Sequence, residues 1–319
     1  MCVDPSFFSV AQRLLTQFAQ SRANRGEISR MLNSKLNRRQ LGLAAAAIFA
    51  PSALVSSGVG AQTLPVLTLD GVRRAGKLRI GCEATYPPFT FRDRGEIVGY
   101  DVELASAMCR SLGVTPEFID TQWSGVIPAL YAGRFDIIMS SMSYTRARLE
   151  RVAFSNPYAE AGQSLLIRAR DADRIKSIED MSTRVLGVKL GSPGETLHPR
   201  LNARIQAAKS GSGFREVKTY DEHPAAYLAL MQGTVDGVLN TLPTLAYVMK
   251  SQPGRFAVVR GIGADNWAGI ACRKEDTEIV SWMNDRIRSF QADGSLTALQ
   301  QKWFGLEFNL PPNIPELAA

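Results

Sequence analysis

Cysteine and histidine are scarce in this chain, with four cysteines and two histidines in 319 residues. No two cysteines have Cys-x-x-Cys spacing, and His198 and His223 stand alone, each followed by a proline. A zinc site is therefore not expected, and neither metal nor cofactor is assigned. Cys2 lies near the front, which leaves Cys82, Cys109 and Cys272 with at most one disulfide among them. Cys109 shares a helical face with Val102, Ala105, Met108 and Leu112 and reads as core. No apolar run approaches the roughly 20 residues needed to span a bilayer. Hydrophobic content of 45% and charged content of 21% are ordinary for a globular protein. The length suits about two domains.

A net charge of +7 and a pI near 9.4 invite a nucleic-acid or membrane-surface reading until the charge is located. Residues 1–61 carry Arg13, Arg22, Arg25, Arg30, Lys35, Arg38 and Arg39 against Asp4 and Glu27, a net +5. The remaining body is left with a net +2, so no nucleic-acid partner is expected. The paired Arg38-Arg39, the alanine-rich run Leu43–Ala50 and the small residues Val59-Gly60-Ala61 follow the order of an export signal. The arginine pair resembles a twin-arginine signal, with Asn37 replacing the usual Ser or Thr. Export to the periplasm with cleavage near Ala61 is the expectation, and translation is expected to start at Met31.

The body contains an internal repeat. Residues 129–141 (ALYAGRFDIIMSS) and 229–241 (ALMQGTVDGVLNT) share Ala-Leu, a Gly, an Asp three residues later, an apolar run and two small polar residues. The pattern predicts a helix ending at Gly133 or Gly233 as a left-handed cap, then a buried strand at 135–139 or 235–239. Ser140/Ser141 and Asn240/Thr241 would then stand at strand C-termini, where open α/β sheets bind ligands. Aligning Gly81 with Gly187 places Glu83 and Lys189 at equivalent strand ends. Further strands are expected near 78–82, 97–98, 116–119, 164–168, 185–188, 214–218 and 267–272. Helices are expected near 101–112, 124–132, 195–209, 223–232, 243–251, 276–292 and 295–304. This is an α/β chain of two lobes, with a proline-bearing tail at 309–319 that reads as a strap or loose end.

Several segments occur in an order that resembles the solute-binding proteins of polar amino-acid ABC importers, the bacterial extracellular solute-binding proteins of family 3. They are Ile80–Phe89, Gly99–Ala105, Trp123–Leu130, Ser140–Arg148, Phe154–Tyr158, Asp293-Gly294 and Lys302–Gly305. The resemblance covers about residues 76–308. It implies a two-lobed periplasmic-binding-protein fold of class II type, each lobe a mostly parallel sheet flanked by helices, with two hinge crossings. Lobe 1 would comprise 66–160 plus 264–308, and lobe 2 would comprise 161–263. It also implies that Arg148 grips a ligand carboxylate through its guanidinium fork. Ser141 and Ser143 would hold the carboxylate and amine, Tyr86 and Trp123 would wall the ligand side chain, and Glu83 and Lys189 would read it. Ser192, Asn240 and Thr241 complete the expected lobe-2 side.

Two residues depart from the family pattern. Thr241 stands where the family carries an aspartate for the α-ammonium, and Pro193 stands where it offers a backbone N–H to the carboxylate. Ser192 or Gly194 would have to supply that donor. The expected function is a monomeric periplasmic receptor that delivers a small amino acid or carboxylate to an ABC permease, without enzymatic activity. A secreted dehydratase of the cyclohexadienyl type is a second reading, but its lobe-2 acid would fall at Gly194, one place before Glu195. A sensory ligand-binding domain is a third.

Overall fold

The computed structural model describes residues 64–316. The leader, its arginine pair, the Met31 start and the last residues of the tail lie outside the described residues.

The described chain opens with α1 (Leu69–Ala75), β1 (Lys77–Cys82), β2 (Thr85–Tyr86), β3 (Thr90–Asp93), β4 (Glu96–Val98), α2 (Tyr100–Arg110) and β5 (Thr115–Asp120). A 3-10 turn at Trp123–Gly125 runs into α3 (Val126–Tyr131), followed by β6 (Ile137–Ser143), α4 (Arg146–Leu149), β7 (Ala153–Phe154) and β8 (Ala159–Glu160). Next come β9 (Gln163–Arg168), β10 (Val185–Lys189), α5 (Pro193–Ala208), β11 (Glu216–Tyr220) and α6 (His223–Met231). The chain continues through β12 (Gly237–Thr241), α7 (Leu242–Ser251) and β13 (Phe256–Val259), and closes with β14 (Trp267–Cys272), α8 (Thr277–Ala292) and α9 (Ser295–Phe304).

Two sheets organise these elements into a two-lobed α/β fold. One has the order β5-β1-β6-β14-β7, with β8 beside β14; the other has the order β11-β10-β12-β9-β13. The chain passes from the first sheet to the second between β8 and β9 and returns between β13 and β14. In both sheets three strands run parallel: β5, β1 and β6 in one, β11, β10 and β12 in the other. A strand arriving from the crossing, β14 or β9, then pairs antiparallel with β6 or β12. The parallel strands send their C-termini, and hence Glu83, Ser143, Lys189 and Thr241, toward one edge.

The internal repeat has a physical basis in these sheets. Both helices end at left-handed glycines, Gly133 at φ 70° and Gly233 at φ 78°. The strands themselves begin two residues later than expected and end at Ser143 and Thr241, so Ser140 and Ser141 lie inside β6. The cause is the repeated aspartate, which ties down the neighbouring strand before its own strand begins. Asp136 donates its N–H to Arg79 O at 2.9 Å and accepts from Arg79 N–H at 2.9 Å and from its guanidinium at 2.6 Å. Asp236 donates to Val185 O at 2.7 Å, accepts from Val185 N–H at 3.0 Å and takes Arg168 at 2.9 Å.

The apolar stripes of α8 and α9 are core, with Ile279, Trp282, Met283, Ile287 and Leu296 buried. Cys82, Cys109 and Cys272 are buried free thiols, so these three form no disulfide. The strand expected at 214–218 lies at Glu216–Tyr220. The sequence reading had no place for β2, β3, β7, β8, β13, α1 and α4, which are too short to show a hydrophobic period. The tail is a strap: Asn309 O accepts from Trp267 Nε1 at 2.9 Å, and Ile314 packs against the cluster around Trp123 and Phe154.

Asp136→Ala removes a carboxylate that holds a backbone N–H and a guanidinium together. It should lower the unfolding free energy by about 2–3 kcal/mol, the range for charge-assisted bonds, as read by urea denaturation. A change within experimental error would refute this role for the repeated aspartate.

Candidate functional site

Residues from both lobes line one cavity of about 30 Å³, room for a water or two. Nine of the ten residues expected from the sequence line it: Glu83, Tyr86, Trp123, Ser141, Ser143, Lys189, Ser192, Asn240 and Thr241. Arg148 does not line the cavity. It lies behind Ser143, donating from one nitrogen to Ser143 O at 2.8 Å and Ser143 Oγ at 3.0 Å, with its carbon 5.3 Å from the Trp123 ring centre. Burial lowers its pKa to about 10, which leaves it charged at neutral pH.

The walls are fixed by backbone ties. Thr90 Oγ1 donates to Glu83 O at 2.8 Å, and Glu83 N–H donates to Ser140 Oγ at 3.2 Å, so the main chain at Glu83 is held from two sides. Ser141 sits at φ 50°, a left-handed conformation rare for a residue with a side chain. Its N–H donates to Tyr158 OH at 2.9 Å and to Asp101 Oδ2 at 3.2 Å. Its buried hydroxyl has no hydrogen-bond partner. Asp101 is fully buried, and desolvation pushes its pKa up to about 7 against the bonds from Tyr158 and Ser141.

Several side-chain contacts cross from lobe to lobe. Trp123 Nε1 and Arg148 both donate to Gly191 O, at 3.1 and 3.0 Å. Gly191 has φ 70°, and a Cβ there would meet Trp123 and Ser124 at 3.5 Å, so the turn favours glycine on conformation more than on space. Tyr86 OH donates to Asn240 Oδ1 at 3.0 Å. Another is an ion pair. Glu83 and Lys189, expected separately as readers of a ligand, bond directly to each other in the buried interior. Burial raises the Glu83 pKa and lowers that of Lys189, and each partner's charge opposes the shift.

The two departures read from the sequence take physical form here. The Thr241 hydroxyl lies within 3.3 Å of Tyr86 OH and 3.1 Å of Thr244 Oγ1, so it is engaged with protein groups. Ser192 N–H donates to Lys189 O at 3.1 Å. Gly194 N–H, at the start of α5, is one of the first N–H groups of a helix, which have no partner within it.

His223, read from the sequence only as an isolated histidine and no zinc ligand, joins the cavity lining. His223 is buried in the cavity wall, stacked between Tyr86 at 5.5 Å and Tyr227 at 5.9 Å, and neither ring nitrogen makes a full hydrogen bond. Desolvation first, and the Lys189 charge second, depress its pKa well below the usual value and keep it neutral. The repeat held the clue. The offset that aligns the two Ala-Leu segments also aligns Trp123 with His223, and both rings stand at the start of the helix that precedes the ligand strand. Ser140, Gln163 and Pro193 complete the lining.

Residues 78–306 match the family model of bacterial extracellular solute-binding proteins, family 3. The chain belongs to this family. It is 31% identical over 240 residues to the L-cystine-binding protein TcyJ of Escherichia coli (strain K12), covering 75% of this chain and 86% of that one. The ancestral amino acid-binding protein AncCDT-1, a precursor of cyclohexadienyl dehydratase, matches at TM-score 0.67 and 34% identity, over 74% of this chain and 99% of that one. An ancestral arginine-binding protein bound to arginine matches at TM-score 0.63 and 35% identity, over 72% and 99%.

Asp101 sets a pH dependence for this family member's fold. Its carboxyl pKa is raised from 3.8 to about 7, so between those values the folded state holds a proton that the unfolded chain has released. Its contribution is present in full below about pH 4 and is lost as pH rises through about 7. Asp101→Asn should remove this decline, seen as a flatter stability profile than wild type in urea denaturation across that range. An unchanged slope would refute the assignment.

Proposed function

We propose that the protein is a receptor that binds a small polar amino acid or related carboxylate between its lobes and hands it to the membrane subunits of an ABC importer. The observation that carries this reading is the shared cavity, where lobe 1 supplies Tyr86, Trp123, Ser141 and Ser143 and lobe 2 supplies Lys189, Asn240, Thr241 and His223. A site divided between two bodies joined by two crossings couples ligand binding to hinge closure. The ligand carboxylate would go to the Arg148 side, where Ser143 and the guanidinium are already bonded. The unpartnered Ser141 hydroxyl and the weakly bonded His223 ring are the wall groups that gain most from a polar ligand, since a buried unpaired group costs free energy. Relatives named for cystine and for arginine support an amino-acid ligand. Export through the leader and action in the periplasm as a monomer belong to the same reading.

The role is binding without turnover. A dehydratase needs an available acid in the closed cleft. Glu83 is committed to Lys189, and Glu195 accepts from Gly191 N–H at 2.6 Å in a solvent-exposed bond.

A thermal-shift screen with amino acids, amines and organic acids tests the reading. A ligand at about 100 times its Kd adds about 2.7 kcal/mol of stability, and no response across the panel would sink it. For the ligand so found, Arg148→Ala should weaken binding by about 100-fold. Retained affinity in calorimetry would remove Arg148 from the carboxylate clamp. Thr241→Asp should strengthen an α-amino-acid ligand by about tenfold, and no change would place Thr241 outside the ammonium site.

A further inference from the structure

Lys189 ends β10 in lobe 2, but its ammonium lies among lobe-1 groups. It is 5.5 Å from the Tyr86 ring centre, 5.1 Å from that of Trp123 and bonded to Glu83. Its side chain is 3% exposed. Two aromatic faces and a carboxylate are what a cation needs in a dry site: the rings attract it through their quadrupoles and the carboxylate neutralises it. The chain therefore holds one of its own cations in the part of the cleft walled by Tyr86 and Trp123. A second cation, Arg148, lies over the same Trp123 ring at 5.3 Å.

We propose that Lys189 is a specificity-determining residue that occupies the cation subsite of the cleft from within and excludes ligands with cationic side chains. The proposal rests on the receptor reading above and deepens it by naming the excluded class. Three effects act together against an incoming guanidinium or ammonium. It would compete with Lys189 for Glu83, it would meet like charges from Lys189 and Arg148 in a low-dielectric site, and it would have to displace an ammonium already stacked on both rings. A neutral amide or ureido group of the same shape shares only the displacement: it does not compete for Glu83 and brings no like charge. It finds polar partners in Lys189 and in the weakly bonded His223 ring.

L-arginine and L-citrulline test the proposal, since they match in shape and differ in the charge of the terminal group. Calorimetry on the wild-type protein should show citrulline bound at least about tenfold more tightly than arginine, a comparison that needs no variant. Lys189→Met should raise arginine affinity by about tenfold or more by freeing Glu83 and the rings. The double change Glu83→Gln/Lys189→Met should lose that gain. If the wild type binds arginine as tightly as citrulline, or Lys189→Met gains no arginine affinity while any amino acid from the thermal-shift panel still binds, the proposal is overturned and the receptor reading stands. If neither protein binds any member of the panel, the receptor reading itself falls.

Discussion

Glu83 and Lys189 meet where neither could remain charged alone. Both are buried, and each comes from a different lobe. Removing one partner would leave an uncompensated charge in the interior, a cost of several kcal/mol. The pair therefore makes the lobes' relative placement an electrostatic matter. Main-chain bonds from Thr90 and Ser140 hold the Glu83 end, and the Tyr86 and Trp123 rings flank the Lys189 end. The contacts of Gly191 with Trp123 and Arg148, and of Tyr86 with Asn240, surround this centre. They bury it, and burial is what makes the charges matter.

The two lobes reach this centre by the same construction. Each carries a helix ended by a left-handed glycine, an aspartate that ties the neighbouring strand, and a strand whose last residues line the cleft. Trp123 and His223 stand at matching helix starts, as Glu83 and Lys189 stand at matching strand ends. The likeness is in the backbone, because parallel strands and their preceding helices impose it. The difference is in the charge. Lobe 1 offers an acid where lobe 2 offers a base, so the duplicated scaffold brings opposite charges face to face.

Most long elements were legible in the sequence, because helices such as Thr277–Ala292 and strands such as Trp267–Cys272 carry a clear apolar period or run. The two-residue strands β2, β7 and β8 carry none and arise only from pairing with distant partners. The cleft was legible in two ways: Tyr86, Trp123, Ser141 and Ser143 lie in segments whose order is diagnostic, and Asn240 and Thr241 close the second copy of the internal repeat. His223 was not, because a lone histidine before a proline has no local mark, and its meaning came from the ring on either side.

The sequence by itself determined the α/β class, the repeat, the family and the inventory of polar side chains near the strand ends. Those properties rest on local periodicity, turn chemistry and residue order, which a linear chain carries in full. Only the tertiary structure decided who pairs with whom: Lys189 with Glu83 across 106 positions, Arg148 with Ser143 and with Gly191, and Tyr86 with Asn240. Pairing of buried charges and hydrogen-bonding groups is settled by distance and desolvation in the folded interior. Neither quantity exists until two lobes, each reading alike in the sequence, close on one another.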